Sequence, residues 1–132
     1  MPLRVDRLDH LVLTVRSLAR TCEFYEKVLG MEVVHYGHGR IAVRFGDQRI
    51  NLHEVGKEFS PKAMRPTPGS GDLCFITRRV LTEWVDHLAA SGVPIVEGPV
   101  RKTGTLGSME SIYVRDPDEN LIEIASYGRS EP

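Results

Sequence analysis

The sequence has little of what marks several protein classes: among its 132 residues there are only two cysteines, Cys22 and Cys74, and a single tryptophan. Two thiols cannot build a disulfide framework, and each lies in an apolar run where it serves as a small hydrophobe, so a reducing, cytoplasmic compartment is expected. No apolar stretch approaches the roughly 20 residues that span a bilayer, and the charges in the opening MPLRVDRLDH interrupt any signal-peptide core. No membrane role is expected. Charge of one sign is not in excess either: 17 Lys and Arg stand against 18 Asp and Glu, a formal net charge of −1, which leaves no basic field for nucleic acid. A small molecule is the expected partner. What is present, 41% hydrophobic and 27% charged residues, is the material of one soluble globular domain.

The chain repeats itself. His10-Leu11-Val12-Leu13-Thr14-Val15 aligns with Asp72-Leu73-Cys74-Phe75-Ile76-Thr77 at an offset of 62, both strand-like. Each is followed by a helical pattern, Leu18, Cys22, Tyr25 and Leu29 in the first copy and Leu81, Trp84, Val85 and Leu88 in the second. The helices are expected to stop at Gly30 and Gly92, because glycine takes the left-handed conformation of a helix C-terminus. Short β-like runs follow, 31–34 and 93–96. A longer loop, GPVRKTGTLGSMES, is then expected in the second copy before Ile112-Tyr113-Val114-Arg115 matches Ile41-Ala42-Val43-Arg44 at an offset of 71. Asp116-Pro117-Asp118 reads as a turn. The last strands, Ile50-Asn51-Leu52-His53 and Asn120-Leu121-Ile122-Glu123, align at an offset of 70. Each copy reads β-α-β-β-β: module 1 over about 5–56, a linker over about 57–70, and module 2 over about 71–128.

That alignment places His10 opposite Asp72, and His53 opposite Glu123. All four are metal-ligand types set in apolar strands, where a charged or imidazole side chain is costly unless paired or coordinated. Each alone reads as a solvent-facing residue, but four at symmetric positions point to one site.

LDHLVLTV, FYEKVLGM and YVRDPDENLIEI resemble the vicinal oxygen chelate superfamily, which includes glyoxalase I, extradiol dioxygenases, and fosfomycin- and bleomycin-resistance proteins. INLHEVG, PTPGSGDLCFIT and EGPVRKTG narrow the resemblance to the small glyoxalase domain-containing protein 5 group. It implies an α+β fold of paired βαβββ modules forming a curved mixed sheet around a metal cleft, in a homodimer. It also implies one divalent ion held by His10 and Glu123, with His53 and Asp72 completing the set. Many members carry histidine where this chain has Asp72.

His10, His53 and Glu123 form a two-His-one-carboxylate set suited to Fe(II) and extradiol-type dioxygenase chemistry. Adding Asp72 gives an N/O environment for Zn, Ni, Co or Mn and for glyoxalase I-like isomerase or lyase chemistry on a substrate that chelates through vicinal oxygens. Glu123 is then the candidate catalytic base, and Asp72 has the alternative of orienting a ligand by hydrogen bond. Arg101, Lys102 and Thr103 read as an anion clamp on a flexible loop, and Ser111 and Tyr113 match substrate-binding residues of fosfomycin-resistance relatives. A third reading is a metal-free drug-binding protein of the bleomycin-resistance type.

Overall fold

In a computed structural model of the chain, residues 2–128 are described. The chain forms two compact units, Met1–Pro68 and Gly69–Pro132, each a four-stranded mixed sheet with one helix.

In the first unit, β1 (His10–Val15), α1 (Leu18–Lys27), β2 (Glu32–Tyr36), β3 (Arg40–Phe45) and β4 (Gln48–Glu54) follow in order, and the strands lie side by side as β1-β4-β3-β2. Only β1 and β4 are parallel. The Ser17 hydroxyl caps α1 by accepting from the Arg20 N–H at 3.1 Å. Past its end, Gly30 takes φ +73°, and the Gly30 and Met31 amides reach back to the Glu26 and Tyr25 carbonyls. Strand alternation then divides the side chains. Leu13, Val15, Val43, Ile50 and Leu52 form one buried face with Tyr25 of α1, each large aliphatic contributing about 1.5–3 kcal/mol. His10, Val12, Thr14, Arg49, Asn51 and His53 occupy the other.

The second unit repeats the plan with β5 (Asp72–Ile76), α2 (Leu81–Ala90), β6 (Glu97–Gly104), β7 (Gly107–Arg115) and β8 (Leu121–Ser126), ordered β5-β8-β7-β6. Its core face carries Ile112, Val114, Ile122 and Ile124, which are buried together with Leu81 and Leu88 of α2. Gly92 closes α2 with φ +71°, and the Val93 amide donates to the Leu88 carbonyl at 2.9 Å.

Two sequence expectations change here. The run 93–96 is irregular, because Pro94 cannot donate to a ladder. The expected loop is instead a hairpin: β6 pairs with β7 from Val100 opposite Ser111 to Gly104 opposite Gly107, with a register shift between Glu97 and Val100. Gly98 makes that shift possible, since a Cβ there would strike the Ser111 carbonyl. Arg101, Lys102 and Thr103 are therefore strand residues, with their directions set by the pleat.

The Asp116-Pro117-Asp118 turn forms as read. The Asp116 carboxylate accepts from the Asp118 amide at 2.9 Å, the Asn120 amide at 2.9 Å and the Asn120 side-chain amide at 2.8 Å. Asn120 Oδ1 in turn accepts from the Gly71 amide at 2.6 Å, and the Leu121 amide donates to the Gly71 carbonyl at 3.0 Å. One turn thus fastens the start of β5, and Asp72 with it.

Candidate functional site

Glu123 stands at the centre of a row of side chains that crosses the second sheet. Its Cα partner is Cys74 on β5 and Tyr113 on β7, and Tyr113 is in turn opposite Glu97 on β6. Cα partners share a sheet face, so Cys74, Glu123, Tyr113 and Glu97 form one polar row on the face away from the aliphatic core. Desolvation, reinforced by the neighbouring Glu123 carboxylate, pushes the Cys74 thiol up to about 11 and the Tyr113 phenol up to about 12. Both stay protonated at neutral pH. Glu123 Oε2 is nevertheless buried without a partner, as is Ser111 Oγ on the same face. Unsatisfied buried oxygens are costly unless water, an ion or a ligand meets them.

Around this row, Lys102 holds its ammonium 5.6 Å from the centroid of the Tyr113 ring and 3.6 Å from the Glu97 carboxylate. Lys102 is opposite Met109, and Arg101 is opposite Glu110. Lys102, Ser111 and Tyr113 consequently share the Glu123 face, whereas Arg101 and Thr103 project from the opposite face. Of the anion clamp read at Arg101, Lys102 and Thr103, only Lys102 lies on the face that carries Ser111 and Tyr113. The other two are excluded by strand alternation, which a loop would not have imposed.

Asp72 lies on the Glu123 face too. Its Cα partner is Leu121, which makes it a diagonal neighbour of Glu123 at about 7–8 Å between Cα atoms. His10 has the corresponding place in the first unit, at the head of β1 opposite Arg49. Its Nδ1 is 2.9 Å from Asp9 Oδ2, an arrangement that leaves Nε2 as the free nitrogen and resembles the carboxylate–histidine pairs that orient metal ligands. Their hydrogen bond holds the Asp9 carboxyl below its ordinary value.

The register revises the expectation for His53. Val12 is opposite Asn51 and Thr14 is opposite His53, whereas Cys74, the counterpart of Val12, is opposite Glu123. The residue equivalent to Glu123 is thus Asn51. The last strands align at an offset of 72, because the chain from Arg115 to Leu121 has one residue more than the equivalent chain from Arg44 to Arg49. His53 is four residues further along the strand than the partner of His10, about 13 Å at the rise of a β-strand. It is 7% exposed, meets the Phe59 ring edge-on at 5.4 Å, and is held below its ordinary pKa chiefly by burial and then by Arg40. It behaves as a packed, neutral histidine. Asn51, which sequence reasoning missed, is also buried, and its Oδ1 has no partner. The signal was available only by counting residues in the two hairpin turns.

Asp72 and Glu123 of the second unit and His10 of the first are each of a residue type that ligates divalent ions, and one Glu123 oxygen is unsatisfied. Among the described residues, however, no three His, Cys, Asp or Glu side chains gather as a group that could hold one ion. No helix among them is long and apolar enough to cross a membrane.

Comparison with known proteins decides the family. The Glyoxalase/Bleomycin resistance protein/Dioxygenase superfamily matches over residues 7–124. The chain belongs to this superfamily. It is 54% identical over 123 residues to virulence protein STM3117 of Salmonella typhimurium, covering 93% of this chain and 85% of that protein. It is also 54% identical over 125 residues to the glyoxalase domain-containing protein RDO1 of Mycosarcoma maydis, covering 95% of this chain and 70% of that one. An integron cassette protein from the mobile metagenome of V. cholerae superposes with a TM-score of 0.95 at 53% identity, covering 97% of this chain and 100% of that one. Two further solved structures share the fold at lower identity. A lactoylglutathione lyase from Agrobacterium tumefaciens has a TM-score of 0.72 at 21% identity, covering 94% and 96% of the two chains. The antibiotic-binding protein TnmS3 from Streptomyces has 0.73 at 20%, covering 95% and 98%.

Proposed function

We propose that the protein is a metal-dependent superfamily enzyme of the glyoxalase I-like isomerase or lyase type, acting on a small substrate that chelates through vicinal oxygens. The observation that carries this reading is Glu123, a carboxylate kept in an apolar strand, flanked by two protonated donors and left with one unsatisfied buried oxygen. His10, Asp72 and Glu123 are the residues we propose for the metal, with Zn, Ni, Co, Mn or Fe(II) as its identity. A bound divalent metal supplies polarisation of a substrate carbonyl.

The chain's own residues do the rest. Glu123 Oε2 takes a proton from the carbon next to that carbonyl. Tyr113, protonated at any physiological pH, donates a hydrogen bond and holds the carboxylate in place. The Ser111 hydroxyl is free to bond a substrate oxygen, and Lys102 adds positive charge beside Tyr113. Both cysteines carry free thiols, which suits a cytoplasmic setting, and a homodimer is part of the proposal.

The dioxygenase alternative needs His10 and His53 on one ion. Their four-residue separation along the first sheet speaks against that set. One observation favours a second reading, a metal-free binding protein: no three ligand-type side chains gather among the described residues.

Elemental analysis of the purified protein tests the proposal, alongside a methylglyoxal-plus-thiol assay of metal-loaded protein and light scattering for the dimer. Stoichiometric metal, lost in His10→Ala and in Glu123→Ala, supports it. A metal-free wild type that cannot be loaded sinks it in favour of the binding protein, and a monomeric mass removes the dimer.

A further inference from the structure

The polar face of the first sheet carries a cavity of about 480 Å³ that no step of the proposed chemistry uses. It lies wholly within the first unit, and Asp9, Val34, Tyr36, Arg44, Asp47, Gln48 and Arg49 line it. The register explains the grouping. Arg49 is opposite both His10 and Arg44, and Val34 reaches Asn51 through Ala42, so the cavity continues along the face that presents His10 and Asn51.

Arg49 is the unusual member. Its guanidinium lies over the Tyr36 ring, 4.1 Å from the centroid, and this stack fixes the plane of the fork. Its Nε is buried and donates to nothing. A stacked guanidinium keeps all its N–H groups in its own plane, so the edge containing Nε is held in place, desolvated and unused. Asn51 Oδ1, on the same face, is buried and unpartnered as well. Nearby charge limits what can bind. Asp9 is engaged with His10 at 2.9 Å, and Asp47 also lines the cavity, so the two arginines do not present a doubly positive surface.

We propose that Arg49, supported by Arg44, is a carboxylate-binding subsite, and that the natural substrate carries a carboxylate. A planar monoanion matches the planar donor pair of Arg49. Arg44 and Arg49 are offset by Asp9 and Asp47, so a phosphate dianion, neither planar nor singly charged, is the poorer match. The inference rests on the reading above only in taking this face as the substrate-binding face, and it names the substrate class.

Binding of benzoate to protein stripped of metal and desalted tests the subsite, with benzamide as the uncharged isostere and inorganic phosphate as the competing anion. The readout is the arginine Nε–H region of the ¹H–¹⁵N spectrum. Benzoate is expected to move one Nε–H signal, which Arg49→Lys removes, and benzamide is expected to leave it in place. Arg49→Lys keeps the charge and loses the fork, and it is expected to weaken benzoate at least about tenfold as read from backbone amides of β2. Arg44→Lys is expected to weaken it less. The proposal is overturned if benzoate moves no arginine Nε–H, if Arg49→Lys binds it like the wild type, or if phosphate binds more tightly than benzoate. The wild-type spectrum decides even where a variant fails to fold. Because the protein carries no metal in this titration, failure of the metal reading leaves the result intact, and failure of the subsite leaves the metal content unchanged.

Discussion

Asn51 and Glu123 occupy the same position in the two units, each directly across the parallel strand pair from the third residue of the first strand. Each presents a buried side-chain oxygen that no hydrogen-bond donor meets. The relationship also holds one step out, since Asp72 stands diagonally to Glu123 as His10 stands to Asn51. What differs is chemistry: one copy carries a glutamate and the other an asparagine, a neutral amide one methylene shorter.

The difference between these two residues is measurable. Glu123→Gln makes the second unit resemble the first, replacing a charged oxygen donor with a weaker amide. The expected outcome is loss of most bound metal, about tenfold or more in affinity, with the fold retained by circular dichroism. Metal retained at wild-type affinity would remove Glu123 from the ligand set.

Cys74 reports on the same carboxylate. With its thiol pushed up to about 11 by burial and by Glu123, alkylation by iodoacetamide is expected to stay slow through pH 9 and to rise towards 11. The native state holds this proton more tightly than the unfolded chain, whose thiol has a pKa near 9.0. The contribution to stability is therefore full below about 9 and lost as pH rises towards about 11. Glu123→Gln removes the charge, so the alkylation profile is expected to move to lower pH.

Strand alternation separates the basic hairpin residues. In the metal-loaded assay, Lys102→Ala and Ser111→Ala are expected to lower kcat/KM by about tenfold, the scale of one lost charged or buried hydrogen bond. Arg101→Ala, on the opposite face, is expected to stay within about twofold. Equal losses for Arg101 and Lys102 would contradict the pleat assignment.

Asp116→Ala removes three hydrogen bonds in a buried turn. A loss of about 2–4 kcal/mol is expected in urea unfolding, since each bond contributes about 1 kcal/mol and orphaned amides add to the loss. A change below about 0.5 kcal/mol would show that the turn holds itself without the carboxylate.

Much of this architecture is legible in the residues. The apolar runs at 10–15 and 72–76 are strands, Gly30 and Gly92 end the helices, and Asp-Pro-Asp is a turn, because each rests on local chemistry that tertiary structure did not override. The β6–β7 hairpin was not legible, since Gly98, Pro99 and Gly104 are poor strand formers and the pairing comes from β7. His53 was misplaced because the last strands were matched at an offset of 70 where the register has 72, a two-residue slip that leaves every side chain on the same face, and its imidazole resembles a ligand until its packing against Phe59 is seen. The role of Arg49 was not legible, because nothing local reveals that a guanidinium will lie flat on Tyr36, 13 residues earlier in the chain.

The knot around Asn120 has a consequence for motion. The amides of Gly71, Asp118, Asn120 and Leu121 all bond within one small cluster, so none can be released while the others hold. They should exchange with solvent together, as one opening event. Asp72, anchored at its rim, then shares the lifetime of that cluster. The second unit thereby gives its first-strand acid a still support, whatever the neighbouring β5 chain does.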